Sequence, residues 1–143
     1  MILVDANLLL YAHDAESPRY ARARDWLEDV MNGDEDVGLA LVTLMAFLRI
    51  GTNPSVFPNP FTPEEAISIV TTWLALPSVR VAHPTEFHWS TMVELCRAGQ
   101  ARGPLLMDAH LAALALEHGA TLCTTDRDFA RFPRLRVVDP LSS

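Results

Sequence analysis

The chain opens Ile2-Leu3-Val4-Asp5, a short apolar run that suits a buried parallel strand. The run ends on a carboxylate at the strand's C-terminal edge, where open parallel sheets place their ligands. A second carboxylate, Asp126, follows the apolar Leu122-Cys123-Thr124 in TTDRDF and is expected at the same edge, with Asp128 two residues on. Each has an ordinary reading too: Asp5 as N-cap of a helix starting at Ala6, Asp126 and Asp128 as Asx turn or cap, with Asp128 the better fit to that local role. Asp108 is harder to explain locally. It lies in the first turn of LLMDAHLAALALEHG, an otherwise nearly apolar helix, where a charge is costly unless paired or coordinated, although it also complements the helix dipole. If that helix aims its N-terminus at the same sheet edge, three carboxylates converge. They repel one another unless a hard cation lies between them, and oxygen-only ligation selects Mg2+ or Mn2+ over Zn2+. Metal-assisted phosphoryl chemistry is the expectation.

Composition narrows the field further. The 143 residues are 50% hydrophobic and 20% charged, the profile of one soluble globular domain with a core large enough to fold alone. All 11 basic residues are Arg, so mechanisms that rest on a Lys are excluded, among them P-loop nucleotide hydrolysis, Schiff-base and pyridoxal phosphate catalysis. A net charge of -7 argues against wrapping nucleic acid by bulk electrostatics, which leaves local arginines or metal ions for that task. Arg49, Arg102 and Arg127 flank the segments that converge on the proposed cleft and are candidates for phosphate contacts, with surface salt bridges as the competing reading. Cys96 and Cys123 have no metal-ligand spacing and sit in apolar segments, as buried free thiols in a reducing cytoplasm would. No apolar stretch reaches the ~20 residues needed to cross a bilayer, and the start carries no basic leader.

The elements that must position these residues alternate. Short apolar or β-branched runs at 2–4, 37–42, 79–82, 121–124 and 135–138 are separated by helical segments, which predicts an α/β sandwich with a central, mainly parallel sheet flanked by helices. Ser17-Pro18 opens a helix through Met31 that Asn32-Gly33 stops. Thr62-Pro63-Glu64-Glu65 combines proline and a capping box at the start of a helix reaching Leu76. Thr85 caps a helix to about Ala98, and a last helix runs from about Leu106 to His118, ended by Gly119. The proline-rich 53–63 stretch reads as an ordered surface loop, and no linker divides residues 1–143.

Taken together, VDANLLLYA, FLRIGTNP, MDAHLAALALEHG, TTDRDFARFP and RVVDPL, in this order and over nearly the whole chain, resemble the PIN-domain proteins, specifically the VapC toxin group of bacterial toxin-antitoxin pairs. The resemblance implies a metal-dependent endoribonuclease with four acidic positions around Mg2+ or Mn2+. It further implies a homodimer, held inactive by a cognate VapB-type antitoxin whose C-terminal segment fills the groove. Asp5, Asp108 and Asp126 match the first, third and fourth acids, with Asp128 as an auxiliary metal ligand. Thr125, and Thr124 beside it, match the small hydroxyl residues next to the fourth acid, and Asn7 the polar residue after the first.

The second acid is where the chain departs. The family commonly carries Glu immediately before Phe-Leu-Arg, and here that position is Ala46. Thr43 reads as an N-cap, and a Glu at 46 would complete a capping box with it. An Ala at this one place is what an inactivating substitution would leave, and it implies impaired metal binding and strongly reduced cleavage. A catalytically inert PIN-like module that binds antitoxin or RNA is therefore the rival reading. A haloacid-dehalogenase-type phosphatase fits poorly, since it wants an acid at Asn7 and a Lys. His110 is read as structural, and the other histidines show no ligand spacing. Trp26, Trp73 and Trp89 are assigned to core or dimer packing, and the apolar faces around Leu8, Leu9, Trp26 and Leu27 to antitoxin or dimer contacts.

Overall fold

The computed structural model describes residues 1–142. In chain order the elements are β1 (Ile2–Val4), α1 (Ala6–Tyr11), α2 (Tyr20–Met31), β2 (Val37–Leu39), α3 (Leu41–Gly51), α4 (Pro63–Leu74), β3 (Val79–Val81), α5 (His88–Ala98), α6 (Leu105–Glu117), β4 (Thr121–Cys123), a 3-10 helix (Arg127–Arg131) and β5 (Val137–Val138). The strands form one five-stranded sheet in the order β3-β2-β1-β4-β5, and every pairing is parallel. The expected α/β architecture is therefore present.

Side chains alternate across the sheet, and the two faces are covered by different helices. Ile2 and Val4 point into a core shared with Leu8, Leu27, Phe47 and Trp73, while Leu3 points the other way, among Leu95, Leu114, Leu122 and Phe129. α6 belongs to this second layer and buries Ala109 and the run from Leu111 through Ala115, which is why its sequence is apolar almost all round. Gly119, at φ +62, ends it in the left-handed conformation that a side chain resists.

Several boundaries shift from the sequence reading. β2 ends at Leu39 and α3 begins at Leu41 with Ala40 at the cap, because Leu44, Phe47 and Gly51 bury one helical face. Thr43 is thus a buried residue inside α3 and caps nothing, so the capping-box argument for position 46 fails. Ser17 closes a turn, its hydroxyl accepting from the Arg19 amide at 3.1 Å, and α2 starts at Tyr20. Thr85 lies outside α5, where its hydroxyl accepts from the Phe87 amide at 3.2 Å. The α4 capping box forms as read, with Thr62 and Glu65 bonded reciprocally at 3.0 and 3.1 Å.

Other corrections concern the core. Leu8, Leu9 and Leu27 are buried within it, which removes them as contact surface; Trp26 is only partly covered. Trp73 is a core residue 5.0 Å from Phe47 between ring centroids, but Trp89 is 72% exposed and joins neither core cluster of the described residues, which leaves it only the dimer half of its expected role. The proline-rich loop is anchored by a buried Phe57 stacked on Phe61. Cys123 is buried, Cys96 partly so, and both are free. Among the described residues no helix is long and apolar enough to cross a membrane.

Candidate metal centre

The order of the strands creates the site. β1 is followed by β2 on one side and flanked by β4 on the other, so the connections diverge at the C-terminal edge between β1 and β4 and leave a crevice there. Val4 pairs with Cys123, and therefore Asp5 and Thr124 leave the sheet side by side, with the Asp5 amide donating to the Cys123 carbonyl at 3.0 Å.

Asp5 does two jobs at once. Its Oδ1 accepts from the Ala6 amide at 2.7 Å, capping α1, and its Oδ2 accepts from the Thr124 hydroxyl at 2.7 Å. Burial nevertheless raises its pKa above the ordinary Asp value; the Thr124 and Ala6 bonds oppose that rise, and the negative charge of Asp126 adds to it. Thr124 is saturated: besides donating to Asp5, its oxygen accepts from the Asp126 amide at 3.0 Å and from Asn7 Nδ2 at 3.3 Å. Asn7 Nδ2 also donates to the Thr125 hydroxyl at 2.9 Å. The hub of this network is Thr124, which is 1% exposed, rather than Thr125. Asn7 Oδ1 is buried without a partner among the described residues, an open acceptor on the side chain that Thr124 and Thr125 hold.

Asp108 and Asp126 complete the crevice. Asp126 caps the 3-10 helix through the Asp128 amide at 2.9 Å, and the Asp128 carboxylate has no hydrogen-bond or ion-pair partner among the described residues. The local role expected of Asp128 thus belongs to Asp126. Oxygens of Asp108, Asp126 and Asp128 lie within 4.8 Å of one another. Asp108, in the first turn of α6, has its pKa raised to about 6, chiefly by burial and then by the charges of Asp126, Asp5 and Asp128, with Arg131 pulling the other way. Arg131, which also donates to the Gly99 carbonyl at 3.0 Å, was not singled out in the sequence. Its only signal was its place three residues after Asp128.

The donor set, all oxygen from three carboxylates with the unpaired Asn7 acceptor on the adjoining α1, suits a hard cation. A groove of about 410 Å³ leads to Asp5 and Asp108, with Ala46 and Arg49 in its wall and the exposed Leu41, Met45 and Met107 around its rim. Arg102 and Arg127 are exposed, line no part of this groove and form no ion pair among the described residues. Another cavity, of about 260 Å³, lies between α2 and α4 against Leu27 and Trp73, away from the carboxylates.

The PIN-domain family model matches residues 2–135. Ribonuclease VapC43 of Mycobacterium tuberculosis is 43% identical over 141 residues, which cover 99% of this chain and 96% of that protein. Ribonuclease VapC37 of the same species is 40% identical over 140 residues, 98% of this chain and 97% of the relative. Among solved structures, a FitAB complex bound to a DNA fragment matches with a TM-score of 0.72 at 20% identity, covering 100% of this chain and 97% of that one. A toxin-antitoxin complex from Klebsiella pneumoniae matches with a TM-score of 0.64 at 22% identity, with 98% of each chain covered. At such identities these structures speak for the fold. The parallel sheet, the acidic crevice at its switch point and the full-length relatives agree that this chain belongs to the PIN-domain family, within the group of VapC ribonucleases.

Proposed function

We propose that the chain, as a single domain over residues 1–143, is the toxin of a type II toxin-antitoxin pair built as a Mg2+- or Mn2+-dependent endoribonuclease, and that Ala46 leaves this copy impaired. The observation that carries the reading is the gathering of Asp108, Asp126 and Asp128, with Asp5 alongside, at one edge of a parallel sheet. The relatives' own names as ribonucleases point the same way.

Asp5, Asp108 and Asp126 would hold the ion, with Asp128 as a fourth oxygen donor. When bound, the cation supplies a water of lowered pKa and charge stabilisation for the scissile phosphate. The chain's own residues prepare that event. Thr124 fixes Asp5 Oδ2 and the Asp126 backbone relative to each other, so two of the acids arrive pre-oriented. Arg49, in the groove wall, is placed to meet the phosphodiester backbone, and Arg131 offsets part of the charge on Asp108. Arg102 and Arg127 are left to more distant phosphates.

Ala46 shares the groove with Asp5 and Asp108, and a Glu in its place would add a carboxylate there. Its absence weakens metal binding and cleavage. It also favours the second reading, an inert module that binds antitoxin or RNA. The acidic groove explains an antitoxin physically: a basic side chain from a partner segment relieves carboxylate repulsion, and the exposed Leu41, Met45 and Met107 offer apolar contact around it. A homodimer acting in the cytoplasm completes the proposal.

The test is cleavage of total bacterial RNA with Mg2+ or Mn2+ by this chain, by Ala46→Glu, and by Ala46→Glu with Asp5→Asn, each purified without antitoxin. Cleavage confined to Ala46→Glu is the expected result. Robust cutting by the unaltered chain would sink the impairment claim, and silence from every form would put the inert module first.

A further inference from the structure

A second polar device lies next to the acidic groove and takes no part in it. Glu117, at the end of α6, has a side chain only 2% exposed. Its Oε1 accepts from the Thr85 amide at 2.9 Å and from the Thr85 hydroxyl at 2.6 Å, while its Oε2 meets His88 Nδ1. His88 Nε2 in turn lies 2.8 Å from His110 Nδ1. When both rings are neutral, these bonds set their tautomers. An ionised Glu117 can only accept, so His88 carries its hydrogen on Nδ1 and presents Nε2 as an acceptor; His110 then donates from Nδ1. His110 Nε2 is left with a bare lone pair. It has no partner among the described residues and is not one of the buried unpaired atoms, so it opens onto accessible space.

His110 lines a cavity of about 190 Å³ together with Leu41, Val42, Ala82, His83, Pro84 and Leu114. It holds several water-sized volumes of ~30 Å³ each, behind largely apolar walls. Leu41 and Val42 also line the acidic groove, so the two spaces lie on either side of the first turn of α3 and share α6 as a wall. Asp108 serves one and His110 the other, two residues apart on the same helix. Along the sheet, the acidic crevice sits past the ends of β1 and β4, and this cavity past the ends of β2 and β3.

We propose that this slot is a nucleobase subsite: a base adjacent to the scissile phosphate packs against Leu41, Val42 and Pro84 and donates an N–H to His110 Nε2. The proposal rests on the ribonuclease reading for its occupant. A strand whose phosphate lies at Asp5 and Asp108 and which follows the sheet edge passes over Leu41 and Val42, which brings one neighbouring base to the slot. An apolar slot with one fixed acceptor rewards a base that offers a donor at that point and leaves the acceptor unmet by a base that does not. The Glu117–His88 chain holds the ring and keeps its hydrogen on the far nitrogen, so both histidines and Glu117 act as specificity and positioning groups and none as a catalyst.

Two experiments together test this. In the first, the unaltered chain is titrated with AMP, GMP, CMP and UMP, and with ribose 5-phosphate as the baseless probe, while the His110 ring signals are followed by NMR. Saturable shifts that differ among the nucleotides and are absent with ribose 5-phosphate are expected. Equal shifts with the baseless probe, or nucleotides that bind without reaching His110, overturn the subsite and leave the slot to a protein side chain. In the second, the base preference beside the cut is read for Ala46→Glu with and without His110→Phe or His110→Asn. Preference at one position should fall by about ten-fold, as loss of one buried hydrogen bond implies. A purely structural His110 would slow cleavage of all sequences alike, and an unchanged preference overturns the subsite while the ribonuclease reading stands. If Ala46→Glu cuts nothing but base-dependent shifts appear at His110, the ribonuclease reading falls and with it the place beside a scissile phosphate, while the slot stands as a base-binding site of the inert module.

Discussion

Replacing Asp108 by Asn should make the metal-free protein more stable, although the side chain lies in the heart of the candidate metal centre. Burial and three neighbouring carboxylates raise the Asp108 pKa from 3.8 to about 6. A carboxyl whose pKa is raised on folding binds its proton more tightly in the folded state, so stability falls as pH rises from about 4 and the loss is complete above about 6. The full shift corresponds to ~3 kcal/mol. Asp108 is only partly buried, and halving the figure for solvent screening leaves about 1.5 kcal/mol. The lost charge at the helix N-terminus subtracts about 0.5 kcal/mol more. Asp108→Asn should thus gain on the order of 1 kcal/mol near pH 8, or about 4 °C in Tm, and nothing near pH 4. Thermal unfolding followed by circular dichroism in EDTA, at both pH values, reads this directly. Adding Mg2+ should reverse the order, because the parent then gains binding energy that the variant loses. A variant less stable than the parent at pH 8 in EDTA would refute the reasoning, since the carboxylates would then not be in conflict.

Three other outcomes follow from the structure. Thr124→Val strands Asp5 Oδ2 and the Asp126 amide, although Asn7 Nδ2 keeps its bond to Thr125, and should lower stability by about 2 kcal/mol in denaturant titrations, while Thr124→Ser retains the bonds and most of the stability. Gly119→Ala meets no neighbouring atom within 4 Å, so its cost is conformational alone, about 1 kcal/mol from the φ of +62. Burial pushes the Cys123 thiol up to about 11, and mass spectrometry after iodoacetamide treatment at pH 8 should find Cys123 unmodified until the protein is unfolded.

Local chemistry was readable wherever one segment carried the whole signal. The Thr62 capping box, the glycine stop at Gly119 and the strand-end aspartates all depend on residues a few positions apart, and each lies where its spacing implied. Thr43 failed because Leu41 and Val42 suit a strand or a helix equally, and only the burial of Leu44 and Phe47 decides between them. The division of labour between Asp126 and Asp128 was hidden because either can cap, and the turn geometry chose Asp126. Leu8 and Leu9 were misplaced on the surface because a six-residue helix lying over a sheet buries more than one stripe. Glu117, His88 and His110 were invisible as a group, since the packing of α5 against α6, and no sequence spacing, brings them together.

The double engagement of Asp5 bears on how such chains age. Its Oδ1 closes the first helix, its Oδ2 is held by Thr124, and the residue lines the acidic groove, so the same side chain answers to folding and to chemistry. Asn and Ser cap a helix about as well as Asp, whereas Ala, Val, Ile or Leu forfeit about 1 kcal/mol. Drift at position 5 is therefore channelled toward the few good capping residues, Asp among them, even after activity has gone. A descendant that has lost its second acid can keep this aspartate indefinitely for the sake of its fold, and the residue then records ancestry rather than present-day catalysis.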